Sequence, residues 1–216
     1  MSDKGTGLIR AIFDTDNFFM QICEKILDLM TVNLLFLLSC LPLVTIGIAK
    51  ISLYQTLFEI KGNRRVKVIR TYTRIFRENW KQGLKLGLLE LALVGFSLFD
   101  LLLFRTQEAL SFQVLKAVCF GMIIFTILLS LCVYPLAGKF LMSFRDILQT
   151  SLVIVSLNFP WFVVMMAVVA AILVIIYSSG FVLLLGFSLF AFIGFAGLAY
   201  LQLPILEKIF AKYSSL

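Results

Sequence analysis

The chain has 216 residues, of which 61% are hydrophobic and only 14% are charged. Because soluble domains carry roughly a quarter charged residues, this composition excludes an ordinary soluble protein and predicts an all-α, polytopic bundle of transmembrane helices. The net charge is +7, and since one loop supplies this excess, we expect the lipid bilayer rather than nucleic acid as its partner.

The N-terminal segment, residues 1–28, is polar and mixed in charge, so it does not resemble a cleavable secretory signal. Asp16 could cap a short amphipathic helix within it. The apolar face of this helix would consist of Phe18, Phe19, Ile22, Cys23, Ile26 and Leu27. We expect the helix to lead into the membrane.

The first span is predicted at about residues 29–49, and Pro42 interrupts it. Proline lacks a backbone donor and clashes with the preceding turn, so the helix should kink or break. The break would involve Pro42, Thr45 and Gly47, with Ser39 and Thr45 placed to satisfy the freed backbone groups. Such a proline usually makes only a kink, but broken helices also form substrate sites in transporters. Alternatively, the run turns back as a re-entrant hairpin.

The loop of residues 61–85 is strongly basic and follows this first apolar run. It contains nine of the nineteen Lys and Arg residues but a single acidic residue, Glu78. Positive loops next to membrane spans are retained on the cytoplasmic side. The sequence therefore predicts a cytoplasmic location for this loop.

Within this basic loop, cations and aromatic residues each recur at spacings of three and four, which indicates an amphipathic helix at the membrane surface. The residues expected to contact the membrane surface or a protein partner are Arg70, Tyr72, Arg74, Phe76, Arg77, Trp80 and Lys81. The simpler interpretation is that the helix only anchors and orients the protein. The alternative is that it also docks a protein partner.

The second span, about residues 84–104, contains two ionisable residues, Glu90 and Asp100. A charge inside a span costs roughly 2.5–3.5 kcal/mol on insertion scales, so each is a candidate functional residue. Asp100 could reach the interface or pair with Arg105.

Glu90 lies deeper in this span, about six residues from its basic end. It could pair with Lys85 or with Lys50, or it could face a polar interior. Glu90 and Asp100 are ten positions apart, about 15 Å along a helix, so they do not form a carboxylate pair for one reaction.

The remaining spans are predicted at about 117–139, 159–177 and 181–203, which completes a transmembrane domain of residues 29–216. A polar loop should occupy 106–116, and a second interfacial helix 146–158. Pro204 is expected to end the last span and to leave a polar tail. Five spans with the basic loop inside predict an extracytoplasmic N-terminus and a cytoplasmic C-terminus.

Several short segments, taken in order, resemble one family. They are residues 33–36 (NLLF), 41–47 (LPLVTIG), 76–80 (FRENW), 134–136 (YPL) and 203–208 (LPILEK). Together they are similar to the bacterial membrane-protein family DUF624, also called the YesL family, over the chain from about residue 14. The resemblance implies a bacterial inner-membrane protein encoded beside carbohydrate ABC transporters. It therefore implies an accessory role in sugar uptake, but no catalytic residue.

The residues that enzymes use most often are missing. Without histidine the chain lacks the commonest general base and metal ligand. The cysteines have no metal-ligand spacing, and no nucleophile or phosphate-binding motif is present, so we expect neither catalysis nor a cofactor. Two functions stay open: an accessory subunit bound to a sugar ABC permease, and an independent small transporter or channel acting as an oligomer.

Overall fold

A computed structural model describes residues 18–62, 66–107 and 109–213. Its helices are α1 (Phe18–Cys40), α2 (Ile46–Gly62), α3 (Val68–Glu78), α4 (Trp80–Leu103), α5 (Leu110–Lys139), α6 (Phe144–Leu157), α7 (Phe159–Tyr177), α8 (Gly180–Leu189) and α9 (Phe195–Tyr213). A short 3₁₀ turn, Leu43–Thr45, precedes α2, and a π-helical turn, Phe190–Gly194, joins α8 to α9. The described ranges contain no strand, which confirms the all-α prediction. The expected cap at Asp16 lies outside them.

Within the described residues, five helical segments are long and apolar enough to cross a membrane: Leu43–Gly62, Trp80–Leu103, Leu110–Lys139, Phe159–Tyr177 and Gly180–Tyr213. Much of the surface of the last four segments is apolar and exposed. Such a surface is unsuited to water and suited to lipid. The chain is therefore a multi-pass membrane protein.

The first apolar run is divided at Pro42, as its sequence predicts. Helix α1 ends at Cys40, and Pro42 is extended, with φ −79° and ψ 119°. The structure differs from the expected span of residues 29–49, because the apolar helix after the break continues to Gly62. The N-terminal amphipathic stretch and the start of this run form one helix, α1.

Helix α2 is the centre of the bundle and packs against α1, α3, α4, α5 and α9. Its fully buried side chains include Ile48, Ile51, Leu57 and Ile60. The buried hydroxyl of Ser52 donates to the carbonyl of Ile48 at 2.8 Å, so this polar group is satisfied within the helix. Burial on many sides explains why α2 lacks the one-sided polar face of a surface helix.

Three glycines allow the backbones of α2 and α4 to touch. A Cβ added to Gly47 would lie 2.6 Å from the Cα of Gly87, and one added to Gly83 would lie 2.6 Å from the Cα of Ile48. Gly83 and Gly87 have the small-xxx-small spacing that lets membrane helices approach closely. Any side chain at these positions would push the two helices apart.

The end of the chain differs from the sequence prediction. Pro204 lies inside α9, and the expected polar tail continues as helix to Tyr213. The predicted helix end at Pro204 is therefore wrong. Residues after the proline are held by packing, since Leu206 is fully buried and Glu207 forms an ion pair with Lys61. Tertiary contacts thus outweigh the hydrogen bond that the proline removes.

Two other boundaries concern polar segments. Helix α5 begins at Leu110, so most of the expected loop at 106–116 is helical. A helix is present where the sequence predicts one at 146–158, since α6 covers Phe144–Leu157; its location at the membrane interface stays a prediction. Ser143 caps it: its hydroxyl accepts from the backbone N–H of Asp146 and donates to that carboxylate at 2.6 Å.

Candidate functional site

Three polar side chains meet inside the apolar bundle: Lys50 of α2, Glu90 of α4 and Tyr134 of α5. The Nζ of Lys50 donates to both carboxylate oxygens of Glu90, at 2.7 and 2.8 Å. The hydroxyl of Tyr134 donates to Oε2 of the same carboxylate. The ammonium group also lies 4.7 Å from the centre of the Tyr134 ring. We call these three residues the polar cluster.

The glycine contact explains how the polar cluster forms. Gly47 and Gly87 each precede a cluster residue by three positions, about one helical turn, and their contact brings α2 and α4 together. On the third helix, Gly138 lies against α2, where an added Cβ would be 3.1 Å from the backbone nitrogen of Gln55. Close packing on both sides therefore holds the charged groups within bonding distance.

The charges of the polar cluster neutralise each other. Of the three alternatives for Glu90, the structure confirms Lys50 as its partner, while Lys85 is exposed. The Lys50 and Glu90 side chains are only 26% and 20% exposed. A paired, hydrogen-bonded charge is tolerated in such a place, whereas an unpaired one is costly. The geometry therefore suits a fixed link between helices.

A small cavity beside Glu90 gives the polar cluster little room for a substrate. Its volume is about 30 Å³, and its lining includes Thr126 and Ser130. Both hydroxyls are already used within α5: Thr126 donates to the carbonyl of Met122 and Ser130 to that of Ile127, each at 2.8 Å. A cavity of this size holds about one water molecule. It does not hold a sugar.

Thr45 satisfies the backbone at the helix break. Its hydroxyl lies 2.6 Å from the carbonyl oxygen of Ser39 and 2.7 Å from that of Pro42, and it donates to both. The backbone N–H of Thr45 also donates to Pro42, at 3.0 Å. The prediction for Thr45 is confirmed, although Ser39 contributes its carbonyl. The exposed residues of the break are apolar, which suits contact with lipid or another chain.

Helix α3 carries five of the seven predicted docking residues, with Trp80 and Lys81 at the start of α4, and one of the five is unsuited to docking. Tyr72 is 2% exposed and packs inward with Val68 and Ile75. Burial raises the pKa of Tyr72, so its hydroxyl stays uncharged. The expected apolar stripe is thus rotated, because Ile69 points outward. Tyr72 fixes α3 to the bundle and cannot contact a partner.

Polar contacts also hold α3 in place. Arg74 forms an ion pair with Glu59 of α2 at 3.0 Å and a longer one with Glu78 at 3.9 Å. Just after α3, the side-chain amide of Asn79 donates to Gln55 at 3.1 Å. Arg74 is therefore an attachment of α3 to α2 in addition to being a surface cation.

The outward side of α3 and the start of α4 bear cations with no fixed counter-ion. Arg70, Arg77 and Lys81 are exposed, and none forms an ion pair within the described ranges. We call these three residues the outer basic face. Beside it, Trp80 is 47% exposed and its ring meets that of the half-buried Phe76, with centroids 6.2 Å apart. The face combines fixed position, positive charge and an aromatic edge.

Asp100 is separate from the polar cluster. It is half-buried near the end of α4, and no ion pair joins it to Arg105 in the part of the chain that the structure describes. The pairing that the sequence suggested is not formed. Its position close to Leu103, the last residue of α4, is consistent with a carboxylate that reaches the membrane interface.

Asn33 is a buried polar residue whose role the sequence analysis did not recognise. It is 0% exposed. Its side-chain amide donates to the carbonyls of Phe190 and Ala191, at 3.0 and 2.8 Å, and accepts from the N–H of Ala196 at 3.0 Å. These groups belong to the π-helical turn and its junction with α9, where the regular hydrogen bonds change. The sequence does contain one signal for this role, which is the presence of an asparagine within an apolar run.

A family model described as "Protein of unknown function, DUF624" matches residues 29–101. No match was found among curated proteins or among solved structures. The matched segment includes the helix break, the three contact glycines, α3 and Glu90, but it ends before Tyr134. Over these residues, about a third of the chain, the protein is similar to the DUF624 family, whose function is unknown.

Proposed function

We propose that the protein lies in the inner membrane of a bacterium and acts as an accessory subunit. In this proposal it binds another membrane protein through the outer basic face. The observation that carries the proposal is the contrast between the two sides of α3. Its inner side is fixed by Tyr72 and by the Arg74–Glu59 ion pair. Its outer side presents Arg70 and Arg77 without a counter-ion among the described residues. A rigid, uncompensated positive surface favours an acidic partner.

The proposed orientation puts the outer basic face in the cytoplasm, because basic segments next to spans are retained there. The ion pair between Lys61 and Glu207 joins the ends of α2 and α9. The C-terminus should therefore lie on the cytoplasmic side as well. Five apolar helices then favour an N-terminus outside the cytoplasm.

The proposed partner is the permease of a carbohydrate ABC transporter. This identification rests on the resemblance to the YesL family and on its usual gene neighbours. The chain has no glycine-rich phosphate-binding motif, so a separate subunit would hydrolyse ATP. In this proposal the protein assists assembly or regulation of the permease, and its cations contact acidic residues on the permease's cytoplasmic surface.

The second candidate function is an independent transporter or channel, formed as an oligomer. Glu90 is the observation that favours it, because an ionisable residue within a span often marks an ion pathway. Against it, Glu90 is neutralised by Lys50 and adjoins a cavity of only about 30 Å³. Purified protein in liposomes should move neither sugars nor ions. Uptake that the Glu90→Gln substitution abolishes would support this second candidate instead.

The main proposal is tested by isolating tagged protein from its native membranes in mild detergent and quantifying co-purified proteins by mass spectrometry. We expect sugar-permease subunits in near-equal amounts. The variant Arg70→Gln/Arg77→Gln should lose most of them. The matched control Lys25→Gln/Arg105→Gln also removes two exposed positive charges, on α1 and just after the end of α4, and should retain them. Recovery of the chain alone would contradict the proposal.

A further inference from the structure

We propose that a groove between the start of α7 and the end of α9 binds the phosphate-bearing headgroup of an anionic phospholipid. The groove has a volume of about 590 Å³. Its polar lining includes Lys208, Lys212 and Trp161, and its apolar lining includes Pro204 and Ile205. It is separate from both the polar cluster and the outer basic face.

A hydrogen bond fixes the two walls of the groove relative to each other. The side-chain amide of Asn158, just before α7, donates to the hydroxyl of Tyr213 at the end of α9, at 3.0 Å. The same amide donates to the carbonyl of Ile154 in α6, also at 3.0 Å. The groove is therefore a defined feature where three helices meet.

The two lysines supply the charge that an anionic headgroup requires. Lys208 and Lys212 are four residues apart on α9, so their side chains lie on the same face, and both are exposed. Neither forms an ion pair within the described ranges. Like charges at this spacing repel each other. A phosphate between them would remove that repulsion and accept hydrogen bonds from both ammonium groups.

The surroundings favour a lipid over a water-soluble phosphate. Trp161 is about half exposed, and its indole N–H is a further donor at a position where membrane proteins commonly place tryptophan. Val164 and Val168 follow on the same side of α7 and are each 51% exposed. This apolar stripe continues from Trp161 toward the middle of the span. It offers an acyl chain a path that a soluble phosphate ester would leave uncovered.

Trp161 can report on lipid bound in the groove. The chain has two tryptophans, so full-length Trp80→Phe protein has Trp161 as its single tryptophan. We would reconstitute it with brominated phosphatidylglycerol or brominated phosphatidylcholine and compare fluorescence quenching. One lysine near an anionic surface contributes about a fivefold preference, so two give at most about thirtyfold. We expect phosphatidylglycerol to be preferred at least fivefold. Equal quenching by the two lipids would overturn the proposal.

Two comparisons separate a built site from general charge attraction. In the same single-tryptophan protein, Lys208→Gln/Lys212→Gln should reduce the preference to about onefold. Lys67→Gln/Lys85→Gln also removes two exposed lysines but lies outside the groove, and it should leave the preference unchanged. An equal loss in both variants would mean that only the overall charge matters. Relief of quenching by millimolar glycerol phosphate would identify a soluble phosphate ester as the occupant and would also refute the lipid proposal.

Discussion

Removing the carboxylate of Glu90 should destabilise the protein more than removing both charges of its ion pair. Glu90→Gln removes the negative charge beside the Lys50 ammonium group, which donates to both carboxylate oxygens at 2.7 and 2.8 Å, and leaves a single amide oxygen to accept from it. Removing one partner of a buried ion pair costs about 3–5 kcal/mol. Since the Lys50 and Glu90 side chains keep 26% and 20% exposure, the pair is only partly buried and the cost should fall below this range. We therefore expect a loss of about 2–3 kcal/mol in the free energy of unfolding.

The double variant Lys50→Met/Glu90→Gln buries no unpaired charge, so it should cost only about 1 kcal/mol. The two substitutions would then be coupled by at least about 2 kcal/mol in a double-mutant cycle. The free energy of unfolding can be measured in mixed micelles of mild detergent and dodecyl sulfate, by tryptophan fluorescence. Lys85→Met is the matched control, because Lys85 is exposed on the same helix as Glu90, and it should change stability by less than about 0.5 kcal/mol. Additive losses from the two single substitutions would refute a fixed link.

Three further substitutions test individual contacts by the same unfolding measurement. Gly47→Ala should cost more than about 3 kcal/mol in the free energy of unfolding, because the new Cβ meets backbone atoms of α4. The control Gly95→Ala, where nothing lies within 4 Å of the added Cβ, should be neutral or slightly stabilising. Similar values for the two variants would contradict the close approach of α2 and α4. Asn33→Leu should cost about 2–3 kcal/mol, because it leaves buried backbone groups of the π-helical turn unpaired. Amide hydrogen exchange in that turn should also become faster. Unchanged exchange would count against Asn33 as the residue that links α1 to the turn. Thr45→Val should cost about 1 kcal/mol, because it removes the hydroxyl that donates to carbonyls at the helix break. The control Thr73→Val, at an exposed hydroxyl within α3, should cost less than about 0.5 kcal/mol. Equal losses would show that the position of Thr45 at the helix break does not explain its effect.

Local signals in the sequence were sufficient for several elements. The helix Phe159–Tyr177 has the predicted bounds, because proline in its first turn and the serines and glycine after it mark its ends. The break at Pro42 could also be predicted, since neighbouring hydroxyls can satisfy the chain locally. At Pro204, by contrast, the helix does not break. Its helix continues because Leu206 is buried and Glu207 pairs with Lys61, which are contacts distant in sequence.

The polar cluster was only partly predictable. Charge in an apolar span identified Glu90, and Lys50 was one of its expected partners. Tyr134 could not be assigned, because it is 44 residues from Glu90 in sequence and only packing brings them together. The spacing of Gly83 and Gly87 was a readable signal for close helix contact. It lies at the edge of the basic loop, where the cations dominate the pattern.

The orientation of α3 was also only partly predictable from the sequence. Periodicity correctly predicts an amphipathic helix, but a pattern of aromatics and cations does not decide which face meets the bundle. Burial of Tyr72 assigns that face, and it leaves Arg70, Arg77 and Lys81 outward. The set of residues that can contact a partner is therefore smaller in the structure than the sequence predicts, because it excludes Tyr72.

The central claim is that the outer basic face contacts another membrane protein, and site-specific photocrosslinking tests it most directly. A photoreactive amino acid would replace the exposed Thr73, which lies between Arg70 and Arg77 on α3, in the full-length protein in its native membranes. Crosslinked products would be identified by mass spectrometry. A matched substitution at Thr106, which is also exposed, serves as the control. We predict that position 73, but not position 106, crosslinks to a cytoplasmic segment of a sugar-permease subunit. Crosslinking of position 73 to lipid alone would contradict the claim and reduce α3 to a membrane anchor.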